Sequence, residues 1–250
     1  MAETILLDRT DAARPYNNLL RILREADYAL IAPHLSATEL SVNDVIYNPG
    51  DHVDVVHFPC GPAMVSFLIS GEDGRDVETV LIGREGAVGG IVSHGRLPAY
   101  SRIIVKFGGQ FACLNVADLE TAKTRSPALR NFFARYADCL LAQIFQSTAC
   151  NAIHSIEQRA AKWMIAASER TGNDVVPFTH EELAAMLGAG RSHTTRVLQE
   201  FRSRALIETR RGSVLVRDRA ALKKVACNCN ELVKSHFDEV LAGVYPNGGH

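Results

Sequence analysis

The chain has 250 residues, of which 47% are hydrophobic and 22% charged. That is enough apolar side chain for one large core or two ordinary ones. Its formal net charge of −1 means that any affinity for a polyanion must come from a local field rather than from the whole molecule. No run of about 18 apolar residues exists, which excludes a membrane-spanning helix. The opening residues are acidic and lack a basic flank followed by an apolar run, so no secretory signal is expected and a cytoplasmic protein is. The six cysteines, Cys60, Cys113, Cys139, Cys150, Cys227 and Cys229, are scattered, which predicts reduced thiols rather than a disulfide framework.

A helix is predicted over 17–29. From about 38 to 116 the pattern is β, with short apolar or alternating runs at 45–47, 53–58, 64–69, 77–82, 102–107 and 110–114. Turn signals cut them at Asn48-Pro49-Gly50, Cys60-Gly61-Pro62, Gly71-Glu72-Asp73-Gly74, Gly89-Gly90 and Gly108-Gly109. Many short strands with Gly/Pro punctuation predict a sandwich or barrel.

Ser126-Pro127 is a helix start, with Ser as cap and Pro in the first turn. Leu129, Phe133, Tyr136, Leu140 and Ile144 follow at helical spacing, with Phe132, Leu141 and Phe145 beside them. Such a stripe shows that a face is buried but not against what. Its own β domain and a two-fold seam with a second copy both fit. A further helix is predicted over 156–169, followed by a turn at Thr171-Gly172-Asn173-Asp174.

The segment 178–216 carries the functional signal. Thr179 and Glu182 have capping-box spacing, and the helix they open stops at Gly188. A second helix is predicted from Arg191 to about Ser203. Helix, Gly-containing turn, helix is the helix-turn-helix pattern. In the second helix Thr194, Val197, Leu198 and Phe201 sit at i, i+3, i+4 and i+7 and should face a small core. Arg191, Ser192, Thr195, Arg196 and Gln199 then turn outward, where a recognition helix presents side chains to base edges in the major groove. His193 flanks that surface as a phosphate contact, and Thr179 at the first helix's cap is a further DNA-binding candidate. Two β runs around Arg210-Arg211-Gly212-Ser213 make a wing whose tip carries two arginines for backbone phosphates. Residues 188–219 hold eight Arg against Glu200, Glu208 and Asp218, a local excess of five positive charges. The rival reading from another class is an effector-binding module whose winged helix serves protein contacts. No phosphate loop, nucleophile elbow, HExxH or paired-carboxylate motif is present, so no enzyme is expected.

This layout resembles the CRP/FNR family of regulators. The best-matching stretch is Gly188-Ala-Gly-Arg-Ser-His-Thr-Thr-Arg-Val-Leu198, which is similar to the family's G-x-S-R-E-T-V-x-R-x-L recognition motif. Arg191 and Arg196 fall on its two base-contacting arginines. Ser192 stands where the family has Glu, and Gly190 where it has Ser. The resemblance implies an α+β fold: a jelly-roll-like β-roll sensor domain (1–125), a long dimerisation helix (126–152), a winged helix-turn-helix (153–226) and a C-terminal helix and tail (227–250). It further implies a homodimer on a near-palindromic operator in double-stranded DNA, contact with RNA polymerase, and a small-molecule or redox effector.

Asn48-Pro49-Gly50-Asp51 and Ile82-Gly83-Arg84-Glu85-Gly86-Ala87-Val88-Gly89 match the family's β-roll turns. Cyclic-AMP-binding members continue with a Glu for the ribose and an Arg-Ser/Thr pair for the phosphate; Gly90 and Ala99-Tyr100 occupy those places here. With no cation for the phosphate, no cyclic nucleotide is expected. Arg84, Glu85 and Arg102, with Arg96, are the remaining effector candidates, though Arg84-Glu85 also reads as a surface ion pair. An iron–sulfur cluster is not expected either, since the first cysteine is Cys60 and no N-terminal group exists.

Cys227-Asn228-Cys229 is the one close cysteine pair. As half a metal site it lacks further ligands, so helix packing is expected and no cofactor is. His52, His57 and His94 lie in the β region without ligand spacing. Residues 231–240 read as a short amphipathic helix packed on the DNA-binding domain.

Overall fold

A strand-rich first half, one long helix and a helical second half follow one another in a computed structural model that describes residues 14–72, 76–93, 97–176 and 179–245. His94 and Arg96, named above, lie outside the described residues, as do residue 178 at the start of the 178–216 segment and part of the 71–74 turn.

The helix expected over 17–29 is two helices, α1 (Asn18–Ile22) and α2 (Glu25–Ile31). Asn17 caps the first by accepting from the N–H groups of Leu19 and Leu20. Leu23 and Arg24 then turn extended, with ψ of 140° and 152°. Arg14 accounts for the break: its guanidinium donates to the carbonyls of Leu20 (3.3 Å) and Leu23 (2.6 Å) and pairs with Glu25. Carbonyls that a continuous helix would bond internally are satisfied from outside.

Seven antiparallel strands follow: β1 (Ser36–Leu40), β2 (Val45–Tyr47), β3 (Val55–Pro59), β4 (Met64–Ser70), β5 (Asp76–Ile82), β6 (Arg102–Phe107) and β7 (Gly109–Asn115). They form a three-stranded sheet in order β1-β7-β3 and a four-stranded sheet in order β2-β6-β4-β5. The period of two along β7 divides its side chains between layers. Phe111 and Cys113 face the second sheet among Tyr47, Val65, Ile103 and Val105, whereas Ala112 and Leu114 face the helices. The remaining face of the four-stranded sheet gives Met64, Leu81 and Phe107 to the core of the C-terminal half.

Helix α3 (Val116–Arg125) and strand β1 escape the sequence reading. β1 is largely exposed and shows no alternation, and α3 buries only Val116, Leu119, Ala122 and the stem of Lys123, whose ammonium donates to the Ile91 carbonyl.

Helix α4 (Pro127–Ile153) starts at Ser126, whose hydroxyl accepts from the Leu129 N–H at 3.1 Å. Of the two readings left open for its stripe, packing on its own β domain is realised for Leu129, Phe132, Phe133, Tyr136 and Cys139, all fully buried. The next turns of the helix leave Leu141, Ile144 and Phe145 exposed at 49%, 42% and 67%.

The second half comprises α5 (Ile156–Thr171), β8 (Val175–Val176), α6 (His180–Leu187), α7 (Arg191–Ser203), β9 (Ile207–Arg210), β10 (Ser213–Val216), α8 (Arg219–Val225) and α9 (Cys229–Ala242). The expectation that the last helix packs on the DNA-binding domain is corrected. α9 lies along α4, burying Phe237 and Leu241 in the first core, with the Phe237 ring edge-on to Tyr136 at 6.2 Å. Arg135 of α4 donates to the Val240 carbonyl, and the Tyr245 hydroxyl donates to Asp27 at 2.6 Å. Aromatic burial beside Tyr136 therefore decides where α9 sits. Among the described residues no helix is long and apolar enough to cross a membrane.

Candidate nucleic-acid interface

The capping box predicted for α6 is closed on both sides. The Thr179 hydroxyl accepts from the Glu182 N–H at 3.1 Å, and the Glu182 carboxylate accepts from the Thr179 N–H at 2.8 Å. Gly188 ends the helix in the left-handed region at φ 57°, which turns the chain sharply enough to start α7 three residues later.

Helix α7 is divided by face as its spacing predicts. Thr194, Val197, Leu198 and Phe201 are buried, joined by Leu183, Met186 and Leu187 of α6 and by Met164 of α5. Arg191, Ser192, His193, Arg196 and Gln199 are exposed. Thr195 is half-buried, its hydroxyl 3.3 Å from His180 Nδ1, so the structure turns it partly toward α6. Gly190 caps α7 with no side chain, and a Cβ built there would meet nothing within 4 Å. The His193 N–H donates to the Gly190 carbonyl at 3.0 Å, which leaves the N–H groups of Arg191 and Ser192 at the start of α7 for an anion.

The wing forms as β9 and β10 around the two-residue turn Arg211-Gly212, in register Ser213 with Arg210 and Val216 with Ile207, and β8 adds a third strand. β8 is too short, two residues, to carry a periodic signal.

The eight arginines of 188–219 are not equivalent. Arg210 and Arg217 both pair with Glu208, Arg204 with Glu157 at 2.9 Å, and Arg219 with Asp174 at 2.6 Å. Arg217 and Arg210 hold the Glu208 carboxyl below the usual carboxylate range, and Arg219 and Ser168 do the same for Asp174. Arg191, Arg196, Arg202 and Arg211 are exposed and have no ion-pair or hydrogen-bond partner among the described residues. Arg191 and Arg196 lie on one helix, and Arg211 lies at the wing tip.

The effector candidates are not gathered on one partner. Arg84 donates to the Tyr16 hydroxyl at 2.9 Å, Glu85 accepts from the Gly83 N–H, and Arg102 lies 3.9 Å from Asp76. Arg102 stands opposite Leu68 on β4, while Ile82, just before Arg84, stands opposite Val65. At the places matched to the nucleotide contacts, a Cβ on Gly90 would come within 3.0 Å of Val116, Ala99 is buried, and Tyr100 points to solvent. His57 is half-buried against the Tyr47 ring, and desolvation lowers its pKa.

The view that Cys227 and Cys229 lack further ligands is corrected. Cys150 and His154, at the end of α4, lie beside them, and the four ligand atoms are all within 4.8 Å of one another. Sequence order hides the group, because about 75 residues separate its halves. Its available signal was the spacing Cys150-x-x-x-His154, which puts two ligands on one helix face.

Comparison with known proteins agrees with this geometry. Residues 158–225 match the Crp-like helix-turn-helix domain. No curated protein sequence matches the chain. Solved structures with its fold include FixK2 of Bradyrhizobium japonicum (12% identity, TM-score 0.66, 77% of this chain and 98% of that one). The c-di-GMP responsive global regulator CLP of Xanthomonas campestris is similar at 15% identity and TM-score 0.61, over 78% and 100% of the two chains. TTHA1359, a CRP/FNR-family transcriptional regulator of Thermus thermophilus, is similar at 21% identity and TM-score 0.59, over 76% and 98%.

Proposed function

We propose that this chain, a transcription regulator with a Crp-like helix-turn-helix on a CRP/FNR-type fold, reads a near-palindromic operator in double-stranded DNA as a homodimer. One observation carries the reading: a 13-residue helix buries one face completely while its other face offers Arg191, Ser192, His193, Arg196 and Gln199 without internal partners among the described residues. An arginine already paired within the protein must lose that partner before it contacts DNA, whereas an unpaired, solvated one meets no such competitor.

Within that reading Arg196 and Arg191 address base edges, Arg being suited to two parallel hydrogen bonds with guanine. The open N-terminus of α7, Thr179, His193 and the wing-tip Arg211 address phosphates, which add affinity without sequence choice. The exposed strip Leu141, Ile144 and Phe145 of α4 supports a seam with a second copy, the arrangement that would match two half-sites.

The test is binding to random and selected duplexes over a series of salt concentrations. Affinity for random DNA should fall steeply as salt rises, with a selected two-fold sequence bound more tightly at every salt. No affinity for any duplex at low salt would defeat the proposal and leave the winged helix to protein contacts.

A further inference from the structure

We propose that Cys150, His154, Cys227 and Cys229 form a tetrahedral site for a structural divalent zinc ion, joining the end of the long helix to the segment that leaves the DNA-binding domain. The donor set is three thiols and one imidazole, a composition suited to closed structural zinc sites. Zinc holds sulfur at about 2.3 Å and nitrogen at about 2.0–2.1 Å, so a tetrahedral site places ligand sulfurs about 3.8 Å apart and sulfur from nitrogen about 3.6 Å. The Cys150 and Cys227 sulfurs are 3.6 Å apart, and Cys229 Sγ is 3.5 Å from His154 Nδ1. Two edges of the tetrahedron are thus already at ligand spacing, and the longest separation in the group is no more than 4.8 Å.

The surroundings fit a bound cation with three thiolates. Such a unit carries a net charge of −1, and the Lys162 ammonium lies 3.4 Å from Cys150 Sγ. Gln146 donates to Cys229 Sγ at 3.2 Å, as hydrogen-bond donors to metal-bound sulfur do. Cys150 and Cys229 are buried and the other two half-buried, so the pocket is closed to bulk water on most sides.

The four ligands come from either side of the junction where α4 passes into α5 and α8 into α9. A closed site there fixes α9 on α4 and stabilises the folded state by its binding free energy. The proposal does not depend on DNA being the partner of α7.

The experiment is elemental analysis of the full chain purified without chelator, with cobalt(II) exchange as a second readout. About one zinc per chain is expected, and cobalt should give thiolate-to-metal charge-transfer bands in the near ultraviolet with the visible bands of a tetrahedral centre. Cys229→Ser and His154→Ala should bring zinc well below half an ion per chain, whereas Cys139→Ala and Cys113→Ala should leave it unchanged. Lys162→Met should keep the ion but weaken it roughly ten- to a hundredfold in competition with a chromophoric chelator. If a ligand variant fails to fold, the zinc content and cobalt spectrum of the unsubstituted chain still decide. A metal-free chain whose cobalt spectrum shows no thiolate bands overturns the proposal, as does a Cys150–Cys227 disulfide in the protein as isolated.

Discussion

Lys106 of β6 and Glu182 of α6 form an ion pair of 3.5 Å that crosses from the strand-rich half to the helix preceding α7. The Lys106 side chain is 8% exposed and that of Glu182 30%, so the pair sits mostly away from solvent beside Met64, Leu81 and Phe107. The same carboxylate closes the capping box on Thr179. One side chain therefore both starts the helix and ties it to the β-roll.

The two roles separate by substitution. Glu182→Gln keeps a capping-box acceptor, since Gln serves as well as Glu there, but removes the charge facing Lys106. The change should cost about 1 kcal/mol after allowing for partial solvent screening. Burial raises the Glu182 carboxyl, but the Thr179 N–H, Lys106 and the Thr179 hydroxyl outweigh burial and hold it below its ordinary value. A depressed carboxyl contributes stability that is full above the unfolded value, about 4.3, and is lost as pH falls through the folded one. Thermal unfolding followed from neutral to about pH 3 should show a smaller acid loss in Glu182→Gln than in the parent chain. An identical acid loss in both would remove Glu182 from the linkage.

The arginines make a second prediction because the structure divides them. Arg196→Ala should cost roughly 1–3 kcal/mol on a selected sequence and relax base choice. Arg211→Ala should weaken all duplexes alike and reduce the salt slope by about one. Arg210→Ala should do less than Arg211→Ala, because Arg210 already pairs with Glu208 at 3.1 Å. Equal losses on selected and random DNA for Arg196→Ala, measured by fluorescence anisotropy, would count against its reading a base.

How much of this was legible beforehand follows from the range of each interaction. The buried and exposed faces of α7 follow from side-chain spacing on one helix, as do the caps Ser126 and Thr179, so residues within a few positions of one another carried them. The split between α1 and α2 depends on Arg14 reaching Leu23, and the seat of α9 on Phe237 meeting Tyr136. The first pair is nine positions apart and the second about a hundred, and neither falls on the three-to-four spacing that a helical pattern reads. The neutralisation of Arg210, Arg217 and Arg219 is likewise a matter of which acid lies across a strand or loop, invisible to a count of charges. Even where a stripe was visible, as on α4, spacing could not say which turns face the β-roll and which stay open.

That open strip gives the third prediction. Phe145→Glu places a charge on a side chain that is 67% exposed in the single chain, so the fold should survive nearly unchanged. If Leu141, Ile144 and Phe145 form the seam, the charge is buried without a partner on association and should shift the chain from dimer to monomer. Sedimentation velocity gives the answer directly. A variant that remains as dimeric as the parent would move the seam elsewhere.

Tyr136 sets the last prediction. Its hydroxyl, fully buried, accepts from the Ala87 N–H at 2.8 Å and donates to the Ala87 carbonyl at 2.9 Å, tying α4 to the turn that carries Arg84 and Glu85. Tyr136→Phe leaves both backbone groups buried and unbonded, which should cost about 1–3 kcal/mol. A Cβ on Gly86 would lie 2.3 Å from that hydroxyl, so Gly86→Ala should also destabilise, by overpacking. The two changes share one contact and cannot add. With the hydroxyl removed, the new methyl loses its nearest obstacle, although Ile82 at 2.7 Å remains. Gly86→Ala should therefore cost measurably less in the Tyr136→Phe background, a coupling of at least about 0.5 kcal/mol in a double-mutant cycle read by urea unfolding. Strict additivity would mean that the turn shifts away from α4 when Gly86 is substituted. The link between the long helix and the Arg84 turn would then be looser than the two hydrogen bonds to Ala87 imply.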